Sequence, residues 1–386
     1  MRFLRTLSTG RLLLLGAAVI VLAAGGAAIA VAARGGGGAT PPPEALPNAI
    51  HDGLTAPEPT GVTARIEFTN HLFPSGSLTG AAASTLMAGA SGRLWVTDDG
   101  RGRLELQSEA GDAQIVWSQT HVTVYDASSN TAYEAKLPEH SADNDKKDTP
   151  PTLSQISDFL TKLTQHADVS GANPTNVAGE PAYSVSVSPK HDGGLLGSAE
   201  LAWDAAHGVP LKVAVYAQGS SSPVLALQAT EISFGKVPNS DVDVSPPADA
   251  TVVDLTPPAK EGEKKSGSPV TGLDAVQAAV SFHLVAPDSL VGLPRQDVRL
   301  VGKHAALVVY GQGLGAIVVL ERQPDAQAKQ KGLLDNLPAV SLDGVTAHEL
   351  ATQLGTMIGW QRNGVEFVLA GSLPPAAAEA AARAFR

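Results

Sequence analysis

The stretch Gly92–Leu137 reads GRLWVTDDGRGRLELQSEAGDAQIVWSQTHVTVYDASSNTAYEAKL, and the fold turns on how it is parsed. Four short runs, Arg93–Val96, Arg103–Gln107, Gln114–Trp117 and His121–Tyr125, are separated by Asp/Gly or Ser/Gln/Thr punctuation. A fifth, Thr131–Leu137, follows an Asp-Ala-Ser-Ser-Asn turn. Apolar residues alternate with polar ones at Leu94/Val96, Leu104/Leu106, Val122/Val124 and Tyr133/Ala135. A period of two turns one side of each strand to a core and the other to water. Connections this short join only antiparallel neighbours, so the stretch is an antiparallel meander with one apolar face.

Working outward, Leu46–Leu54 predicts a short helix, and Gly61–Asn70 a strand with Val62, Ala64, Ile66 and Phe68 on one side. His71–Ala88 has no clear period and is either an irregular excursion or a strand edge with a loop. Beyond the meander, Glu139–Pro151 is a charged loop. Thr152 can then cap a helix in which Leu153, Ile156, Phe159, Leu160 and Leu163 recur at helical spacing. That helix is a candidate lid over the apolar face. Strands resume at Gly197–Trp203, Pro210–Tyr216 and Val224–Phe234, the first two joined by the turn Asp204–Gly208. The total is about nine or ten strands, and a sheet of that size curls around either a core or a cavity.

The N-terminus has a different character. Arg2, Arg5 and Arg11 lead into Leu12–Ala33, an uncharged apolar run of about 22 residues. A membrane span needs ~20 residues and a signal h-region ~7–15. The run therefore suits a retained anchor in the cytoplasmic membrane through residues 12–33. Cleavage near Ala28, Ala30 or Ala32 would instead release a secreted protein, and a buried helix is the third alternative. The basic flank places the rest of the chain outside the cytoplasm in either export case. The expected organisation is an anchor at 1–34, a Gly/Pro linker at 35–47, a β domain at 48–256, a charged linker at 257–270 and a small α+β domain at 271–386. In the last domain, a helix at Ala275–His283 precedes strands Val298–Val301, Ala305–Tyr310, Ala316–Glu321, Val345–Gln353 and Thr356–Trp360. An Arg362-Asn363-Gly364 turn leads to Val365–Ala370, and a terminal helix Ala376–Phe385 presents Leu373, Ala377 and Phe385 to something apolar.

Composition narrows the functions. The formal charge is −11, and four of the 27 Lys/Arg residues sit in the first 34 positions, so the body is more acidic still. Such a body repels nucleic acid, which is excluded as a partner. The absence of cysteine removes disulfides, thiol nucleophiles and an N-terminal lipidated cysteine. The ten histidines are scattered singly, and His348-Glu349 lacks a second histidine four residues on. Asp98-Asp99 and Asp241/Asp243 lack the oxygen-rich spacing of a calcium loop. Gly311, Gly313 and Gly315 join two strands and open no phosphate-holding helix. No metal, cofactor or enzymatic activity is expected. Arg93, Arg101 and Arg103 form one basic spot, suited to a lipid headgroup or to cross-strand pairs with Asp98, Asp99 and Glu105.

The order of these pieces, VTVYDASSNTAYEAKL, a helix, GEPAY, LAWDAAHGVPLKVAVY, ATEISFGKV and the PPADATVVDL tail, resembles the LolA/LolB-like lipoprotein-carrier superfamily over about Leu46–Leu255. That superfamily includes a periplasmic regulator of an anti-sigma factor and actinobacterial lipid-carrying lipoproteins. Residues Phe282–Pro287, Ala306–Gly315 and Trp360–Gly371 resemble a small domain of unknown function of actinobacterial envelope proteins. The first resemblance implies a mainly β fold with α (α+β), a large curved antiparallel half-barrel covered by helices that receives acyl chains, here followed by the small α+β domain. Carried over, the ligand-facing positions are Leu94, Val96, Leu104, Leu106, Val122 and Val124, with Leu153, Ile156, Phe159, Leu160 and Leu163 as the lid. Arg93 and Arg103 are the candidate headgroup contacts, with Arg65 equally available. The partners implied are lipid or lipoprotein acyl chains. A sensor that signals through its second domain to a membrane-protein partner, or a structural envelope protein whose sheet is filled by its own side chains, are the other readings.

Overall fold

The computed structural model describes residues 38–72, 89–109, 111–137, 150–190, 194–255, 270–302, 304–324 and 337–385. The apolar run 12–33, most of the excursion 71–88, the charged loop 138–149 and the linker 256–269 lie outside the described residues. Among the described residues no helix is long and apolar enough to cross a membrane. Two compact units divide the chain. The first runs to Ser188 and takes in Ser198–Tyr216 and Ser220–Ala259. The second holds Pro189–Gly197, Ala217–Gly219 and everything from Lys260 onward.

The first unit opens with α1 (Leu46–Thr55) and β1 (Gly61–Asn70). The meander follows as β2 (Ala90–Thr97), β3 (Gly102–Ser108), β4 (Gly111–Trp117), β5 (His121–Asp126) and β6 (Thr131–Lys136). Then come α2 (Leu153–Leu163), β7 (Ala167–Val169), β8 (Asn173–Val177), β9 (Glu180–Pro189), β10 (Leu196–Asp204), β11 (Pro210–Ala217), β12 (Pro223–Phe234), α3 (Asn239–Val242) and β13 (Thr251–Asp254). All thirteen strands join one sheet, ordered β13-β6-β5-β4-β3-β2-β1-β12-β11-β10-β9-β7 with β8 beside β9. The path has two free ends and does not close on itself. This is the mainly β, open half-barrel class expected for the first domain. One pairing departs from the meander logic: β13 lies parallel to β6. The chain reaches that edge after α3 has packed on β2 and β3, where Arg101 bonds Asp243 at 2.6 Å and Asn239 at 2.8 Å.

Local sequence explains the turns. Asp204, 1 % exposed, accepts from the His207 backbone N–H at 2.6 Å and lies 2.8 Å from its Nδ1. That is the Asx chemistry that closes a hairpin, and it ties off β10 where the sequence WDAAHG predicts a turn. Thr152 and Gln155 form the reciprocal capping box that starts α2. The stretch 38–47, read as spacer, is bonded to the sheet. Asn176 donates to the Ala39 carbonyl at 2.9 Å, the Tyr183 hydroxyl donates to that of Pro42 at 2.8 Å, and Glu44 bridges Ala172. The prolines here supply no N–H for a ladder, and their unclaimed carbonyls are satisfied by side-chain donors.

The second unit contains α4 (Leu273–Ala279), β14 (Ser289–Leu290), β15 (Leu293–Val301), β16 (Ala305–Tyr310), β17 (Ile317–Arg322), β18 (Ala339–Leu342), β19 (Val345–Ala351), β20 (Thr356–Arg362), β21 (Val365–Gly371) and α5 (Pro375–Ala382). Its sheet is ordered β14-β15-β16-β17-β21-β20-β19-β18. The Asn363-Gly364 hairpin is as predicted, both residues having positive φ (52° and 75°). Its core is aromatic: Trp360 stacks on Phe367 with centroids 5.1 Å apart, and Phe385 meets both at steeper angles. The terminal helix seats Ala378, Ala381, Ala382 and Phe385, one register on from the Ala377 expected, which is half-buried. The fully buried set falls at i, i+3, i+4 and i+7, a single helical stripe.

Candidate functional site

Strand register assembles a row that sequence spacing only hinted at. Ile232 pairs with Ala64, Ala64 with Leu94, Leu94 with Leu104, Leu104 with Ile115, Ile115 with Val124, Val124 with Tyr133, and Tyr133 with Val253. Eight neighbouring strands thus present one apolar side chain each to the same face. At about 4.8 Å between strands the ladder is roughly 30 Å long. A second row on that face runs Ile66–Gly92–Leu106–Ala113, and a third Val62–Val96–Gly102–Trp117–Val122. The six sheet positions expected to face a ligand, Leu94, Val96, Leu104, Leu106, Val122 and Val124, therefore share one face.

Burial along the ladder is graded. Ala64 is 4 % exposed and packs in a cluster with Ile66, Phe68, Ala90, Leu106 and Ala113. Leu94, Leu104, Ile115 and Val124 are half-buried, and Tyr133 is 37 % exposed. The face is closed near β1 and opens toward β6. Two cavities among the described residues lie elsewhere, one of about 300 Å3 in the second unit and one of about 210 Å3 on the far side of this sheet.

The helix expected as a lid takes a different seat. Leu160 of α2 packs with Leu46 and Ala49 of α1, Tyr183 and Trp203, a cluster separate from the one around Ile66 and Leu106. Ile156 is buried, Phe159 and Leu163 are half-buried, and Leu153 is 43 % exposed. Helical spacing shows that a stripe exists but not which apolar surface it meets.

Strand geometry sets the two candidate headgroup arginines apart from the ladder. Arg93 and Arg103 precede Leu94 and Leu104 in their strands, and successive side chains of a strand point to opposite faces. Both arginines therefore lie on the face away from the ladder. Arg103 pairs with Glu105, stands over the Trp95 ring at 5.1 Å, and donates to the Asp241 carbonyl at 3.3 Å. Arg101 pairs with Asp99 at 2.8 Å inside the turn that joins β2 to β3, and Arg103 pairs with Glu105 along β3, so both ion pairs are local and neither is the cross-strand pair expected. Ile115 and Trp117 share the ladder face with the six expected positions, which sequence spacing did not signal. Val116 between them makes Ile115–Trp117 a continuous apolar run, which hides the period of two. Among the described residues no three His, Asp or Glu side chains converge as a metal set.

No protein-family model matches the chain, and no curated protein matches it. Solved structures resemble it distantly. The Pseudomonas aeruginosa MucA/MucB complex matches at 16% identity and TM-score 0.41, covering 87% of this chain and 94% of that one. MucB in complex with MucA(peri) matches at 16% identity and TM-score 0.41, covering 88% and 96%. The LolA superfamily protein NE2245 of Nitrosomonas europaea matches at 7% identity and TM-score 0.22, covering 52% of this chain and 98% of that one. At such identities and TM-scores these are resemblances in layout and say nothing of ligand.

Proposed function

We propose that the chain is a non-catalytic, extracytoplasmic binding protein that holds an acyl chain, free or carried by a lipid or lipoprotein, along the apolar ladder of its first sheet. Residues 12–33 would tether it to the cytoplasmic membrane. The graded ladder from Ala64 to Tyr133 carries the reading: it is a continuous apolar track, flanked by two further rows on the same face, that the described chain leaves partly uncovered. At most about a third of each of Leu94, Leu104, Ile115, Val122 and Val124 is exposed, so covering one recovers ~0.5 kcal/mol and the five together offer on the order of 2–3 kcal/mol to a hydrocarbon chain.

Two adjacent residues give the test. Val124 lies on the ladder and Thr123 on the opposite face. Delipidated full-length protein titrated with a fluorescent fatty acid should bind saturably. Val124→Lys should weaken that binding at least about tenfold, the cost of leaving an ammonium against hydrocarbon, and Thr123→Lys should leave it unchanged. Absence of saturable binding, or equal effects of the two variants, would refute the assignment. Native mass spectrometry of protein extracted from membranes should show a co-purifying lipid, and recovery in the membrane fraction tests the tether.

A further inference from the structure

The face of the first sheet away from the ladder holds a second arrangement. Across β12, β1, β2 and β3 one row of side chains runs Glu231–Arg65–Arg93–Glu105, and the next runs Ser233–Thr63–Trp95–Arg103. Each glutamate is already engaged: Glu231 bonds Arg65 Nε at 2.9 Å, and Glu105 pairs with Arg103. Arg93 forms no ion pair of its own among the described residues: Glu105, opposite it on β3, pairs with Arg103, and on its other side stands a second guanidinium, that of Arg65. Like charges placed opposite each other on a sheet are unfavourable unless something neutralises them. Between the two rows lies a groove of about 210 Å3 lined by Thr63, Arg65, Arg93, Trp95, Glu231 and Ser233.

We propose that this groove is a binding site for a phosphomonoester group. Two neighbouring guanidinium forks match the several oxygens and double charge of a phosphomonoester better than a single carboxylate. Thr63 and Ser233 place hydroxyl donors in the adjoining row, and the indole of Trp95 gives the remainder of the ligand an apolar wall. Glu231 is the internal competitor. Its pair with Arg65 is exposed on both sides (58% and 70%), a kind of pair that contributes little and exchanges readily. The site is independent of the acyl-chain reading because it occupies the other face of the sheet. The phosphate has two sources, a free phosphate or phosphorylated small molecule, and the headgroup of a lipid.

Isothermal titration of the full-length protein with inorganic phosphate tests the site. A second arm uses short-chain phosphatidic acid below its micelle concentration, and a third the matching phosphatidylcholine. Saturable binding of phosphate is expected. It should be weakened about tenfold by Arg93→Gln, the loss of one charge-assisted fork, less by Arg93→Lys, and strengthened by Glu231→Gln. Val124→Lys should leave it unchanged, which separates this site from the acyl ladder. Measured in the Val124→Lys protein, whose acyl ladder is disabled, phosphatidic acid binding more tightly than inorganic phosphate assigns the site to a headgroup, and equal affinity assigns it to free phosphate. Absence of saturable phosphate and phosphatidic acid binding, an Arg93→Gln protein that binds phosphate as well as wild type, or, in the Val124→Lys protein, phosphatidylcholine binding as tightly as phosphatidic acid would overturn the proposal.

Discussion

Glu321 is fully buried in the second unit, with Oε2 accepting the Val285 N–H at 2.9 Å and Oε1 unpartnered. Burial pushes its carboxyl up to about 8 from an ordinary 4.5. Below pH 4.5 folded and unfolded chains both hold the proton, and the stability this group allows is fully present. Between about 4.5 and 8 only the folded chain keeps it, so stability falls as pH rises, by up to about 1.4 kcal/mol per pH unit, and levels off above 8. Glu321→Gln should remove that slope. Urea midpoints at pH 5, 6.5 and 8.5 should decline for wild type relative to the variant, and parallel curves would show that the carboxyl is solvated. The buried Tyr310 hydroxyl, also unpartnered, is shifted up by burial and by Glu321. The inward position of Glu321 was present in the sequence as the alternation Ile317, Val319, Glu321. It was not legible as a core position, because a terminal glutamate normally signals the solvated end of a strand.

At the scale of elements, two predictions probe why these segments form. Thr152→Ala removes the hydroxyl that caps α2 and should cost about 1 kcal/mol, measured by chemical denaturation; Thr152→Ser should restore most of it. Gly92 sits in the row Ile66–Gly92–Leu106, where an added Cβ would come within 1.9 Å of the Glu105 carbonyl oxygen. That oxygen belongs to the β3 backbone and cannot rotate away, so Gly92→Ala should destabilise the first unit by about 1–3 kcal/mol. An unaffected denaturation midpoint would mean that β2 and β3 stand further apart than described. Element boundaries in the meander were readable because period-two alternation and Asp/Gly turns are local signals. The seat of α2 was not, since helical spacing marks an apolar stripe without naming the surface it covers.

At the scale of the molecule, the two units each have their own buried cluster, one around Ile66 and Leu106 and one around Trp360, Phe367 and Phe385. Thermal unfolding should therefore show two transitions by calorimetry. Gly92→Ala should lower one of them, and Glu321→Gln should move the other at pH 8. A single transition shifted by both would show that the units melt together.

The sequence by itself determined the fold class and that Leu94, Leu104 and Val124 share a face, because alternation within a strand and short turns between strands leave an antiparallel meander no other way to turn those side chains. Tertiary structure alone decided what lies across from what. Register aligned Ile115 and Tyr133 with that ladder, turned Arg93 and Arg103 to the far side, and set Arg93 opposite Arg65 with both nearby glutamates already taken. The physical reason is that the period of a strand is encoded within the strand, whereas its neighbours are chosen by contacts between residues distant in the chain.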